Sequence, residues 1–124
     1  MLFRSRAVLF YRGDGFQCVH AGLKVDPIEA NDVRTMVHDH YVVERNRYDG
    51  PLTIVGHIAL EMATWFCGDG NSYQWIIDGR WYDLPEKGII CIDTGCGKGG
   101  RLTGMVIEDG KYILQSVSSD EYEW

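Results

Sequence analysis

Two histidines in this sequence each follow a short run of strand-forming residues, with a glycine beside them. His57 follows Leu52–Gly56, and His20 follows Phe16–Val19 and precedes Gly22 by two positions. Imidazole is a good ligand for zinc, iron and manganese, and a rigid strand end holds the ring with little loss of entropy. Because open sheets build sites at the carboxyl ends of their strands, the sequence predicts a metal site at His20 and His57. The residues alone leave a purely structural role open as the alternative.

The strands that would hold these histidines are marked by their neighbours. Leu52–Val55 follows the breaker Asp49-Gly50-Pro51, contains three β-branched residues and ends at Gly56, where the backbone can turn sharply. Ile89–Ile92 is a further buried strand by its apolar character. Two Asp-Gly pairs, at Asp78-Gly79 and Asp109-Gly110, lie between strand-prone runs and predict two-residue hairpins.

One helix is expected, from Pro27 to about Val43. Asp26 suits its N-cap, Pro27 its first turn, and Glu29 completes a capping box. The apolar stripe of this helix consists of Val33, Met36, Val37 and Tyr41. His38 and His40 are two positions apart on it, so their side chains are expected to face different ways, with at least one solvated.

Composition restricts the class of protein. A chain of 124 residues with 45% hydrophobic residues is typical of one soluble domain, here 1–124. Its net charge of −6 argues against a nucleic-acid backbone as partner. No apolar run approaches the ~20 residues that cross a membrane, and Ala7–Phe10 is shorter than the ~7–15 residues of a signal-peptide core, so we expect a cytoplasmic protein without a membrane partner. The four cysteines lack C-x-x-C spacing and are expected to be reduced.

The segment Gly95–Gly100 satisfies the pattern G-x-G-x-x-G but does not predict a dinucleotide site. That fingerprint needs a helix to follow, whose N-terminus receives the pyrophosphate. The following residues, Arg101–Ile107, are instead typical of a strand. A backbone nest for an anion and a tight crossing between strands both remain open for this segment. Cys96 within it has no base beside it in the sequence, so it is a weak candidate nucleophile.

Three motifs occur in an order and spacing that resemble a known family. They are Val19–Leu23, Val55–His57, and Ile92–Gly95 together with Gly99–Thr103. The chain is similar, over about 16–117, to the C-terminal half of calcineurin-like metallophosphoesterases, of the bacterial serine/threonine protein phosphatase and symmetrical diadenosine tetraphosphatase type. The resemblance implies an α+β fold: the C-terminal portion of a β-sandwich flanked by helices, mostly β with hairpins and one main helix.

The resemblance also implies roles for individual residues. His20 and His57 would bind the second of two divalent ions, manganese, iron or zinc, in a dinuclear centre. The family's phosphate-binding arginine aligns with His38, and three arginines could replace it: Arg34, Arg45 and Arg47. The loops near the site would contain Gly22, Gly56, Asp93, Thr94 and Gly95.

The first half of the family's domain has no counterpart in this sequence. Its Asp-x-His motif, its metal-bridging Asp and the Asn-His that supplies the general acid are all missing, so no catalytic residue is expected in this chain. The implied activity is hydrolysis of a phosphoprotein, a dinucleoside polyphosphate or a phosphomonoester, with a phosphorylated substrate as partner. A complementing N-terminal half or a homodimer would be the protein partner. The alternative is a non-catalytic accessory remnant or a truncated product.

Overall fold

The computed structural model describes residues 8–118 as a mixed α+β fold made mostly of sheet. Its nine strands are β1 Phe10–Arg12, β2 Gln17–Val19, β3 Thr53–Val55, β4 Thr64–Phe66, β5 Ser72–Gln74, β6 Tyr82–Asp83, β7 Ile89–Cys91, β8 Arg101–Glu108 and β9 Lys111–Ser118. The two short helices are α1 Val33–His38 and α2 Tyr41–Arg45, and 3-10 turns occupy Ile28–Ala30 and Cys96–Lys98. The prediction for the N-terminal run Ala7–Phe10 lies partly outside the described residues.

Six strands form one sheet in the order β1-β2-β3-β7-β4-β5, and three form another in the order β6-β9-β8. The strands predicted at 16–19, 52–55 and 89–92 are confirmed as β2, β3 and β7. These three are parallel neighbours, with Cys18 opposite Ile54 and Ile54 opposite Ile90. Their carboxyl ends therefore lie at one edge of the sheet.

Alternate residues of the central strands pack into two different cores. Val55 and Cys91 lie with Met36 of α1 on the helical side of the sheet. Ile54 and Ile90 point to the opposite face, where partly buried side chains from β8, including Met105, pack against them. The six-stranded sheet thus lies between the helices and the three-stranded sheet, because each of its faces is apolar.

The predicted single helix over Pro27–Val43 is wrong. The chain makes a 3-10 turn, then α1, then breaks at Asp39, whose ψ of 137° is extended, and resumes as α2. Asp32, not Asp26, caps α1 by accepting the Thr35 N–H at 2.7 Å. The predicted apolar stripe is not buried along its whole length, because the side chains at its two ends, Val33 and Tyr41, are each 55% exposed.

The two predicted Asp-Gly hairpins have different outcomes. Asp109-Gly110 joins β8 to β9, and both residues have positive φ, 52° and 74°, as a two-residue type I′ turn needs. The prediction at Asp78-Gly79 is wrong, because β5 before it pairs with β4 and β6 after it pairs with β9. The Asp78 carboxylate there accepts the Arg80 N–H at 3.1 Å and the Tyr82 hydroxyl, which forms a local turn instead.

The glycine-rich segment leads into a strand, as predicted. Gly95 has a positive φ of 76°, and its carbonyl accepts the N–H groups of Lys98 and Gly100 at 2.9 and 2.8 Å. A Cβ at Gly100 would lie 2.3 Å from the Thr94 carbonyl oxygen, so the two backbones cross in close contact there. These contacts favour the tight crossing over an anion nest.

Candidate metal centre

The backbone brings His20 and His57 to the same edge of the sheet. His20 directly follows β2, and His57 lies two residues after the parallel neighbour β3. The Gly56 N–H donates to the His20 carbonyl oxygen at 2.8 Å and so extends the strand pairing up to the two histidines. The centroids of their rings are 5.1 Å apart. The predicted proximity of these two side chains is therefore present in the fold.

His57 itself has an uncommon backbone conformation. Its φ is 69°, in the left-handed region that few residues other than glycine adopt, and such a conformation costs roughly 1–3 kcal/mol. The turn is fixed on both sides: the Ile58 N–H bonds to the Gly56 carbonyl at 2.8 Å, and the Leu60 N–H to the Asp93 carbonyl at 2.9 Å. These bonds hold the backbone on both sides of His57 and tie the turn to Asp93, which follows β7.

The other two histidines of the chain lie at the same edge, which the resemblance implied for His38 and the sequence did not predict for His40. The expectation that these two side chains face different ways is wrong, because both rings lie near His57 and line one cavity. His38 is the last residue of α1, and its ring centroid is 6.1 Å from that of His57. His40 immediately precedes α2, and its centroid is 4.8 Å from that of His57. The other three histidines of the sequence thus surround His57.

Three contacts hold the end of α1 and the start of α2 against the strands. The Ala21 N–H donates to the Met36 carbonyl oxygen at 2.8 Å, which ties the residue after His20 to α1. The buried Asp39 carboxylate accepts the Val42 N–H at 2.8 Å and so begins α2. Gly22 allows the close approach, because a Cβ there would lie 2.7 Å from Val42 Cγ1 and 3.0 Å from Asp39 Oδ2.

A local signal for the break was present in the sequence. Asp39 stands three residues before Val42, the spacing at which a side chain caps a helix, and Asp32 has the same relation to Thr35. Two capping aspartates seven positions apart indicate two short helices rather than one long one. The longer apolar stripe outweighed this signal in the prediction.

Burial and neighbouring charge favour the neutral form of His57. Burial lowers the pKa of its imidazole below the ordinary 6.5, and repulsion from His20, His40 and His38 lowers it further, while Asp93 opposes the shift. A neutral imidazole is the form that binds a metal ion. His57 is half-buried, whereas His20, His38 and His40 are exposed.

The four imidazoles are donors of the type that zinc and its neighbours prefer. Within residues 8–118, no group of three or more histidine, cysteine or carboxylate side chains could hold a metal ion. The candidate centre is therefore the pair His20 and His57, whose ring centroids lie 5.1 Å apart.

The other predicted loop residues have structural contacts in the fold. Asp93 Oδ1 accepts the Gly95 N–H at 3.0 Å, and Thr94 is buried. Thr94 Oγ1 donates to the Arg101 carbonyl at 2.6 Å and lies 2.7 Å from Thr103 Oγ1. These bonds attach the loop after β7 to the start of β8 and thereby keep Asp93 beside Gly56.

The structure divides the predicted phosphate-binding residues into two groups. Arg34 lines a cavity of about 520 Å³ together with His38, His40 and Lys24. Arg45 and Arg47 line a neighbouring cavity of about 380 Å³, which neither histidine lines. Arg34 is therefore the candidate arginine that shares a cavity with the histidine edge.

The cysteines contribute no apparent ligand to this edge. All four are free thiols, and burial raises the pKa of the Cys91 thiol to about 11, which keeps it protonated at neutral pH.

No helix among residues 8–118 is long and apolar enough to span a membrane.

Comparison with known proteins gives no relative for this chain. No family model, no curated protein and no solved structure matches it. The resemblance to metallophosphoesterases stays a prediction that rests on the three sequence motifs.

Proposed function

We propose that this chain supplies one half of a two-metal phosphoesterase centre, in which His20 and His57 are ligands of a divalent ion. The observation that carries the proposal is the 5.1 Å between their ring centroids at the ends of two parallel strands. The finer assignment of the fold, as the C-terminal portion of a metallophosphoesterase β-sandwich, belongs to the same proposal. We also propose that the protein is cytoplasmic.

The residues beside the histidines suit a phosphorylated substrate. Arg34 and Lys24 line the same cavity as His38 and His40. A guanidinium can bind two phosphoryl oxygens at once, and an ammonium adds a point charge. Asp32, Asp39 and Glu44 line the same cavity, so Arg34 and Lys24 would bind a phosphoryl group beside three carboxylates.

The rest of the centre would come from a complementing N-terminal half with the three missing motifs. In such centres, divalent ions of manganese, iron or zinc activate the nucleophile and neutralise phosphoryl charge. The part of this chain is to hold the second ion with two imidazoles and to bind the phosphoryl group beside it. Without the complementing half, this chain has no bridging carboxylate motif and no general acid, so we expect it to be inactive.

A non-catalytic accessory module is the second candidate. It is favoured by the observation that the described part of the chain contains no group of three or more histidine, cysteine or carboxylate side chains that could hold a metal ion. In that case the histidine edge would contact a partner without turnover, and the open reading frame upstream would lack the three motifs.

Reconstitution tests the proposal. The chain is co-expressed with the N-terminal half of a bacterial serine/threonine protein phosphatase, and hydrolysis of an aryl phosphate is measured with Mn²⁺. We expect turnover that chelation removes and that the chain alone does not show. His57→Ala and His20→Ala should each lower kcat/KM at least about tenfold, the lower end of the cost of outer-shell changes. Val106→Thr on the distant strand β8 is the matched control and should retain activity.

Two results would contradict the proposal. One is turnover in the reconstituted enzyme that survives the loss of His57. The other is a reconstituted complex, shown by co-purification, that binds Mn²⁺ but hydrolyses nothing, which would favour the accessory module.

A further inference from the structure

Strand β8, with eight residues, forms one edge of the three-stranded sheet. It pairs with β9 along its full length, from Arg101 opposite Ser118 to Glu108 opposite Lys111, and no other strand among residues 8–118 pairs with it. At its open side the Arg101 N–H donates to the Thr94 carbonyl oxygen at 3.1 Å, so the loop after β7 covers the first residue. An open strand edge is a template for pairing with another chain.

The hairpin geometry determines which backbone groups of β8 point outward. The residues on either side of a two-residue hairpin turn bond to each other, so Glu108 and every second residue before it bond to β9. The residues between them, Thr103, Met105 and Ile107, direct their N–H and C=O groups away from β9, as the N–H of Arg101 does. In the described part of the chain these three N–H and three C=O groups have no bonding partner.

The two ends of β8 have charges of opposite sign. Lys98 and Arg101 lie at its start, and Glu108 and Asp109 lie at its end. Within the described range 8–118, none of these four side chains forms an ion pair. Two copies of β8 in antiparallel order would place the basic start of each beside the acidic end of the other, whereas a parallel order would place like charges together.

We propose that two copies of this chain form a dimer by antiparallel pairing of their β8 strands, with the two-fold axis at Met105. In this register Thr103 of each copy lies opposite Ile107 of the other, so all the outward N–H and C=O groups bond across the interface. An axis at Gly104 would instead place Ile107 opposite Arg101, whose outward N–H is already bonded. The inference is independent of the metal assignment.

The exposed face of β8 also gains apolar contacts in this register. Leu102 and Val106 are 58% and 49% exposed in the single chain. Val106 would lie opposite Gly104 of the second copy, where a Cβ would meet nothing within 4 Å and space is therefore left for it. Leu102 of the second copy would be its diagonal neighbour, at a distance that long side chains span. The pairing therefore covers two exposed apolar side chains of each copy.

Sedimentation velocity of the full chain over a concentration series tests the interface. We expect a dimer at about 100 μM, and Gly104→Lys should raise its Kd at least about tenfold, because a charged side chain then fills the space opposite Val106. Gln115→Lys is the matched control, since Gln115 is exposed and lies opposite Gly104 on β9, one strand away from the edge. It should leave the Kd within about twofold, and melting curves confirm that both variants are folded.

Asp109→Asn tests the direction of the pairing. Asn-Gly retains the type I′ turn, so the hairpin is kept while one negative charge is lost at the end of each β8. In the antiparallel dimer the Kd should rise about twofold or more, and it should rise further with salt concentration. A lower Kd in Asp109→Asn would contradict the antiparallel direction, because it would show that like charges had been opposed.

Disulfide trapping measures the register. Gly104 and Val106 of the second copy would form a pair without mutual hydrogen bonds, whose Cα atoms lie roughly 4.5 Å apart, a distance that a disulfide spans. An equimolar mixture of Gly104→Cys and Val106→Cys chains should therefore cross-link under mild oxidation more than either variant alone. The wild-type chain, with its four cysteines, gives the baseline.

Three results would overturn the proposal. A wild-type chain that is monomeric at about 100 μM would exclude a second copy and leave a strand of another protein as the occupant of this edge. A dimer that Gly104→Lys does not weaken would lie on another surface. Equal cross-linking in the mixture and in Gly104→Cys alone would place the axis at Gly104. None of these results bears on His20 and His57, which the reconstitution tests separately.

Discussion

The two pairs of histidines reach the same place by different means. His20 and His57 extend from the ends of parallel strands whose register is fixed by backbone hydrogen bonds and by a buried core. His38 and His40 lie on either side of a helix break that is held by side-chain contacts. One pair is positioned by sheet topology, and the other by the packing of a few atoms around Gly22 and Asp39.

This difference suggests how stable each pair's position is. A ladder of backbone bonds within a sheet persists unless the sheet itself opens, whereas a one-residue break between two short helices depends on local contacts. The strand pair should therefore keep its geometry under changes that displace the helix pair.

The largest effect is expected from filling the contact at Gly22. In Gly22→Ala, the new Cβ would lie 2.7 Å from Val42 Cγ1 and 3.0 Å from Asp39 Oδ2, so the side chains at the start of α2 must shift. Overpacking of this kind costs roughly 1–3 kcal/mol, measured as a loss in the free energy of unfolding by urea.

Gly97→Ala is the matched control for this substitution. A Cβ there has nothing within 4 Å, so the change should alter stability by less than about 0.5 kcal/mol. If Gly22→Ala is as stable as the wild-type chain, the helix pair does not depend on this contact and the comparison fails.

Sequence reasoning succeeded where short-range patterns determine position. The strand around Ile54 is bounded by a breaker and a glycine, and parallel strands necessarily bring their ends together. The hairpin at Asp109-Gly110 was predicted correctly for the same reason, because both turn residues adopt positive φ.

Sequence reasoning failed where packing between distant segments determines the local structure. The break at Asp39 depends on contact with Gly22, seventeen positions earlier (39 − 22). The pairing of β6 with β9 rather than β5 depends on the whole three-stranded sheet. Neither contact has a local signature strong enough to outweigh an apolar stripe or an Asp-Gly pair.

A smaller effect concerns the protonation of His57. Burial, then repulsion from His20, His40 and His38, lowers the pKa of its imidazole below 6.5 in the folded state. Because the unfolded chain takes up the proton first, this contribution to stability is complete above about pH 6.5 and declines as the pH falls toward the folded pKa. NMR titration of the ring proton measures the shift directly.

The same titration in His20→Gln tests the order of the causes. Removing one neighbouring charge should raise the pKa of His57 only in part, since burial remains and is the larger cause. A wild-type pKa of His57 at or above 6.5 would show that its ring is more solvated and further from the other histidines than the fold has it.

Zinc K-edge X-ray absorption of the chain loaded with one equivalent of zinc tests the central claim most directly. Our account predicts first-shell nitrogen at roughly 2.0 Å, with outer-shell scattering from two imidazole rings in the wild-type chain and from one in His57→Ala. A shell of oxygen atoms without imidazole scattering, unchanged in His57→Ala, would contradict the assignment of a metal centre to this histidine edge.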